Sequence, residues 1–385
     1  MGFQKQYPHE DSGVPIGGLQ EFSTDVSVLP PDYLSTSSAQ TLLQSAFPEL
    51  YDYYGLIADR TPADLWVENS GGVPGSDSLQ AVAFGDGLWV AVGNNGTVWT
   101  ASDPTGTWTE NTSVPSSETL YDVLYDETDG WLIVGNNGTV WTASDPTGTW
   151  TENTNLPARA AQLRSVVKFG TYYVAAAGNV ASNKYVWYAT DPSGTWTEQL
   201  AYGAGASSTV LSVATDGETL VLAGQSGQVY YTTDPTSGWF LNSNVPSTSI
   251  TTLSMTVTPD GWIAAGSGFA MKASAPDGAW SFISGLTGPY VDAFYDDSSG
   301  LAIISGASGA LLTSSTPSGP WTQNPSPPTS GLTFNGIARN SDFIVAVGNT
   351  GALWTCTRFS YNKSTQFIVT AIPSSGAIQY ALRAK

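Results

Sequence analysis

The chain contains one cysteine, Cys356, and one histidine, His9. A disulfide framework, a Cys/His metal site and any Ser-His or Cys-His nucleophilic arrangement therefore lack the residues to form. Cations are scarce as well. Lys plus Arg number 12 against 32 Asp plus Glu, and the net charge of −20 repels a phosphate backbone, so nucleic acid is not expected as a partner. Charged residues of all kinds make up 11% of the chain, where about 25% is usual. No apolar run approaches the roughly 18 residues of a membrane span, and the first residues hold no apolar leader segment. Membrane insertion, a Sec-type signal and a Cys/His metal site are unexpected on these grounds, and the sequence singles out no cofactor and no metal ligand.

Glycine (41), tryptophan (14) and tyrosine (18) are abundant, and 41% of residues are apolar, a composition that belongs to a folded, turn-rich chain. The phrase GNNGTVWTASDPTGTWTEN fills residues 93–111 and recurs letter for letter at 135–153. Its "WTEN" tryptophan returns as Trp66, Trp108, Trp150, Trp196, Trp239, Trp280 and Trp321, at steps of 42, 42, 46, 43, 41 and 41 residues. A glycine closing an apolar run repeats independently as Gly93, Gly135, Gly178, Gly224, Gly266, Gly306 and Gly348. Both series count seven units. Within a unit, 79–84, 88–92, 97–102 and 107–111 read as four short strands separated by Gly-Asp-Gly, Asn-Asn-Gly and Asp-Pro-Thr-Gly turns. Four strands per unit of about 42 residues predict an all-β fold, a seven-bladed β-propeller. Residues 66–69 form a lone "WTEN" strand before the first unit, and the last unit lacks one. The prediction is that this N-terminal strand completes the seventh blade and closes the ring, leaving no bare edge. The unit tryptophans are then packing between blades. Glu110, Glu152 and Glu198 read as a solvated outer edge, and Asn-Gly at 95–96 and 137–138 as turns needing positive φ rather than glycosylation sites.

The turn Ser102-Asp103-Pro104-Thr105-Gly106-Thr107-Trp108 and its copies around Asp145, Asp191 and Asp234 resemble the Asp-box of sialidases and related propellers, with the glycine one residue late. In that family the box is structural, and an Asx-type turn accounts for it here. Residues 29–58, with Phe47-Pro48-Glu49-Leu50-Tyr51 and Tyr54-Gly55, resemble the opening of phage tail-collar domains: a Pro-rich strand and then a short helix, placed at 41–54. An ordinary amphipathic helix is the plainer reading of 41–54. The stretch Ser364-Thr365-Gln366-Phe367-Ile368-Val369 and the end Tyr380-Ala381-Leu382-Arg383-Ala384-Lys385 resemble the closing half of that domain; the collar's usual Cys-Asp-Gly is replaced by Ser35-Thr36-Ser37. The resemblance implies a small mixed α/β base, residues 1–65 and 358–385, split by a propeller at 66–357. It also implies a virion tail fibre or receptor-binding protein, made in the host cytoplasm and mounted as a homotrimer on other tail or baseplate proteins. Residues 358–385 carry four basic and no acidic side chains, so the base segments are expected to pair with each other or with a subunit, or to be simply solvated.

Rigid repeats bind through the loops that vary. Segment 178–189 is longer than its equivalents and is expected to bring Lys184 and Tyr185 to a loop tip. The connection 155–163 carries Arg159, with Arg164 just beyond. Tyr202, Phe269 and Tyr290 are expected in the corresponding loops of other units. Aromatics beside a few cations suit a host-surface glycan or protein receptor. Three arginines in the propeller, Arg159, Arg164 and Arg339, two of them from one neighbourhood, do not make a converging triad of the sialidase kind. Binding without turnover is therefore the expectation. A two-carboxylate glycan hydrolase, and a bacterial surface scaffold or adhesin related to propeller assembly factors, are the alternatives.

Overall fold

The computed structural model describes residues 19–22, 33–35, 40–43, 66–73, 75–115, 117–157, 161–180, 183–202, 209–246, 251–297, 299–324, 331–357, 366–369 and 379–383. The chain divides into two compact units, Ala63–Arg358 and the paired ends Met1–Pro62 with Phe359–Lys385.

In the larger unit, seven four-stranded antiparallel sheets follow one another, numbered here as blades in chain order, with blades 2 to 6 spanning 120–152, 162–202, 210–242, 252–282 and 290–323. Blade 1 consists of Leu79–Gly85, Leu88–Gly93, Val98–Ala101 and Thr109–Glu110, hydrogen-bonded in that order from the innermost strand outwards. Blade 7 takes three strands from the end of the unit, Phe334–Arg339, Phe343–Gly348 and Leu353–Thr357, and its outer strand, Trp66–Glu68, from the beginning. Trp66 pairs with Cys356, Val67 with Thr355 and Glu68 with Trp354, so the ring closes as the repeat order predicts.

Among the described residues the core falls into seven clusters, each between two neighbouring blades, and a unit tryptophan sits in or packs against every one. Trp108 packs with Val345 and Leu353 of blade 7, Trp150 with Val90 and Val98 of blade 1, and Trp66 with Ile303 and Leu311 of blade 6. The indole N–H groups of Trp108, Trp150 and Trp196 donate to the carbonyls of Pro104, Pro146 and Pro192 four residues earlier, at 3.3, 3.2 and 3.1 Å. The aspartates of the same turns cap them locally: Asp103 accepts from the Thr105 amide at 2.9 Å and hydroxyl at 2.7 Å, and Asp145, Asp191 and Asp234 do the same. The structural reading of the Asp-box-like turn follows from these bonds.

The asparagine of "WTEN" ties one blade to the next. Asn111 donates to Pro146 O (2.9 Å) and Gly148 O (2.6 Å), and Asn69, Asn153 and Asn242 repeat the pair on the turns of their neighbours. Asn111→Ala leaves both carbonyls without this donor. It is expected to lower stability by about 1–3 kcal/mol, read as a lower urea midpoint with an unchanged m-value.

The glycines that close the second strands are required by close approach. A Cβ at Gly93 would lie 2.2 Å from Ser78 O, and one at Gly348 would lie 2.0 Å from Thr333 O, where the neighbouring inner strand begins. The following turn, Asn94–Gly96, places Asn95 at φ 60° and Gly96 at φ 67°, the left-handed conformation expected of Asn-Gly.

In the unit of the two chain ends, Leu19–Phe22 and Tyr33–Ser35 flank Gln379–Arg383 in a three-stranded antiparallel sheet, and Gln40–Leu43 pairs with Gln366–Val369. The helix expected over 41–54 is thus corrected at its start. Gln40–Leu43 is extended because the Phe367-Ile368-Val369 strand offers it a ladder, and such tertiary pairing overrides local propensity. Residues 44–54 lie outside the described residues.

Candidate functional site at the channel mouth

Every inner strand slips by one residue against its neighbour near its first end. The register passes from Leu79↔Gly93 to Ala81↔Val92 in blade 1, from Leu163↔Ala177 to Ser165↔Ala176 in blade 3, and likewise in the others. The residue left over at each bulge is unpaired and re-aimed. From blade 1 to blade 7 these residues are Gln80, Tyr121, Arg164, Leu211, Leu253, Val291 and Asn335, all half-buried and all lining one central cavity of about 510 Å³. Gln225, in the Gln225–Gly227 turn, and Thr251 also line it, so the cavity opens on the face of the Asn-Gly-type turns. Trp66 and Cys356, where the chain enters and leaves the ring, lie at the strand ends belonging to the opposite face.

At the bulge positions the ring is chemically two-sided: blades 1, 2, 3 and 7 place polar side chains there and blades 4, 5 and 6 place Leu211, Leu253 and Val291, with Ser212, Gln225, Thr251, Ser254 and Asp292 lining the cavity beside that apolar trio. Arg164 stacks on the Tyr121 ring with its guanidinium carbon 4.0 Å from the centroid, and its Nε and Nη2 donate to Gln162 Oε1 at 3.3 and 2.8 Å. It has no carboxylate partner among the described residues. Gln80 donates to Asn94 Oδ1 (3.1 Å) and Asn335 to Leu79 O (2.8 Å), which fixes both amides at the rim.

One residue further along each inner strand comes a ring of small or acidic residues that joins the blades. Asp122 accepts from its neighbour Val123 N and, across the blade boundary, from Val166 N at 2.8 Å. Asp292 accepts from Ala293 N, from Ser254 Oγ at 2.6 Å and from Ile337 N of blade 7 at 2.9 Å. Both line the channel and keep part of their surface open to it, yet protein surrounds them. Burial pushes Asp122 up to about 7, with the charge of Asp292 adding to it, and pushes Asp292 up to about 6. Repetition hid this pair in the sequence. The signal is there when the units are aligned on the bulge: Asp122 in LYDVLYD and Asp292 in YVDAFYD stand where other units have Ala81, Ser165, Ser212, Ser254 or Gly336.

The residues expected at the site scatter. Arg164 reaches the channel. Tyr185, Phe269 and Tyr290 were expected on loops, and this placement is corrected: each lies on a strand and is buried between blades, at 7%, 5% and 5% exposure. Blades that pack face to face extend the hydrophobic contact to the strand ends, so an aromatic there is taken into the core. Lys184 and Tyr202 are register partners on Asn183–Ala189 and Thr197–Tyr202, in a hairpin longer than that of the other blades, and not on a loop. Their side chains, and Arg159, lie outside the described residues. Arg339 ends the inner strand of blade 7, at the opposite face, where it pairs with Asp296 (3.4 Å) and Asp297, so it does not join Arg164.

No family model matches the chain, and no curated protein matches it. Solved structures do. YCF48 bound to D1 peptide is 18% identical with a TM-score of 0.61, covering 76% of this chain and 97% of that one. YCF48 from Cyanidioschyzon merolae is 14% identical (TM-score 0.60; 76% and 98% covered). A catalytically inactive virginiamycin B lyase from Staphylococcus aureus with quinupristin is 11% identical (TM-score 0.63; 77% and 99% covered). The likeness is one of fold. Propellers that carry such different chemistry leave function to be argued from this chain's own site.

Proposed function

We propose that the protein is a virion tail fibre or receptor-binding protein, in which the unit of the two chain ends docks to other tail or baseplate proteins, as a homotrimer, and the propeller attaches to a host-surface glycan or protein. The observation that carries this reading is the strand pairing of residues 19–22, 33–35 and 40–43 with 366–369 and 379–383. That pairing makes the propeller an insert between two halves of another unit, and both ends of the insert leave from the face opposite the channel mouth. The face of the channel mouth carries neither end of the insert, and this reading assigns it to the partner. The collar-like sequences at the two ends supply the virion context.

The protein acts by binding. Each of the two channel carboxylates is engaged with backbone amides of the adjacent blade, which suits a bridging role. Their raised proton affinity is the one observation that favours a glycan hydrolase, so sugar release belongs in the test. Purified full-length protein is expected to bind intact host bacteria, to lose at least about tenfold in binding on Tyr121→Ala with Arg164→Ala, to release no sugar, and to be labelled by its antibody on virion tails. Failure to bind any candidate host, or absence from virions, overturns the reading; sugar release abolished by Asp122→Asn with Asp292→Asn replaces it with the hydrolase.

A further inference from the structure

The guanidinium of Arg164 has two edges, each able to give two parallel N–H bonds. Gln162 occupies the Nε–Nη2 edge, and Tyr121 covers one face of the plane at 4.0 Å. The Nη1–Nη2 edge is left without a partner among the described residues, on a side chain that two contacts hold in place, at the wall of a cavity of about 510 Å³. A held cation with a vacant bidentate edge in a partly desolvated pocket is organised for a carboxylate, and the cost of ordering it is already met within the protein.

The rest of the rim narrows the ligand further. With their N–H groups donated to Asn94 and to Leu79 O, Gln80 and Asn335 retain amide oxygens as acceptors for hydroxyl groups. Across the channel, Leu211, Leu253 and Val291 form an apolar arc. One anionic group, several hydroxyls and one C–H face are the chemistry of an acidic sugar, and the cavity lies in the size range of small-ligand sites. The net charge of −20 does not forbid this, since at physiological salt surface charges beyond about 8 Å are largely screened, and the two carboxylates in the same cavity wall, Asp122 and Asp292, give their oxygens to backbone amides of their own and the adjacent blades.

We propose that the channel mouth binds a carboxylate-bearing sugar, a uronic-acid unit of a surface glycan, with Arg164 holding the carboxylate, Gln80 and Asn335 its hydroxyls, and the apolar arc its C–H face. This inference rests on the attachment reading above and names the ligand class of that same site. A peptide C-terminus presents the same carboxylate but fewer hydroxyls for the amide-lined half of the rim, and it is therefore made an arm of the test.

The full-length protein is titrated, with ligand-observed NMR, against glucuronate, glucose and a short peptide ending in leucine. Glucuronate is expected to bind, glucose to bind at least about tenfold more weakly, and Arg164→Gln to remove that difference while the melting temperature stays within a few degrees. Should the substitution unfold the protein, Gln80→Ala together with Asn335→Ala gives an independent reading: weaker glucuronate with the preference over glucose retained. Equal binding of glucose, tighter binding of the peptide, or no binding of any probe overturns the inference. Attachment to cells that survives Arg164→Gln would sink this site alone and leave the attachment reading standing. Glucuronate binding without attachment to any cell would do the reverse.

Discussion

Trp66→Ala is expected to cost the propeller about 3–5 kcal/mol, the usual penalty for emptying a buried tryptophan site, and to convert one cooperative melting transition into a broader one at lower temperature. Trp66 is 3% exposed and packs at the blade 6–7 boundary, and its backbone is paired with Cys356. Losing the whole strand is more severe. A fragment 79–357 exposes the edge of Leu353–Thr357, which carries Trp354 and Cys356, and frees the two ends of the ring from one another. Circular dichroism and size-exclusion chromatography should show it expanded and prone to associate, while 63–358 stays monodisperse with a sharp transition. A 79–357 fragment as stable as 63–358 would mean that blade packing alone holds the ring.

The second large effect is a dependence of stability on pH that runs opposite to ordinary acid denaturation. Asp122 and Asp292 titrate near 7 and near 6 in the folded chain, against about 3.9 for an unfolded aspartate. Below the unfolded value both states are protonated and burial carries no electrostatic penalty. As the pH rises through 6 and 7 the folded protein must ionise carboxyls enclosed by protein, so their stabilising contribution is lost between about pH 4 and pH 7. A tenfold difference in proton affinity between folded and unfolded chain corresponds to about 1.4 kcal/mol, so the pair weighs several kcal/mol across that window. The turn aspartates Asp145 and Asp191, held low by the hydroxyl and amide of Thr147 and Ser193, act in the other direction only at more acid pH. The melting temperature should therefore be highest near pH 4–5 and fall towards pH 8. Asp122→Asn with Asp292→Asn should flatten that fall, even while lowering stability throughout, because an amide nitrogen cannot accept the N–H bonds that the carboxylate oxygens take from Val166 and Ile337. A wild-type melting temperature that rises from pH 5 to pH 8 would contradict the account.

Blade number, ring closure and the packing role of the seven tryptophans were legible in the sequence because each is a local pattern printed seven times. A strand, its turn and its tryptophan lie within about 40 residues of one another, and an outer strand missing at one end and present at the other has a single place to go. The same repetition says little about the site. The length of segment 178–189 points to a loop tip at Lys184 and Tyr185, whereas the extra residues lengthen the two strands of the hairpin, and Tyr185, opposite Ala177, holds the buried position that Phe269, opposite Gly266, holds in the shorter hairpin of blade 5.

The candidate site belongs to tertiary structure alone. Its rim takes one residue from each blade, from Gln80 to Asn335, and nothing local distinguishes a bulged position from a paired one. What made Arg164 notable in the sequence was only the scarcity of cations; what gives it a chemical role is Tyr121, 43 positions earlier, beneath its guanidinium, and Gln162 across its edge. Asp122 and Asp292 likewise carry ordinary-looking strand positions, and their proton affinity arises from the closure of the ring around them. Periodicity in the chain sufficed to determine the frame, since a repeat must satisfy its own geometry. The chemistry at the axis depends on which seven non-repeating side chains the closed ring brings together.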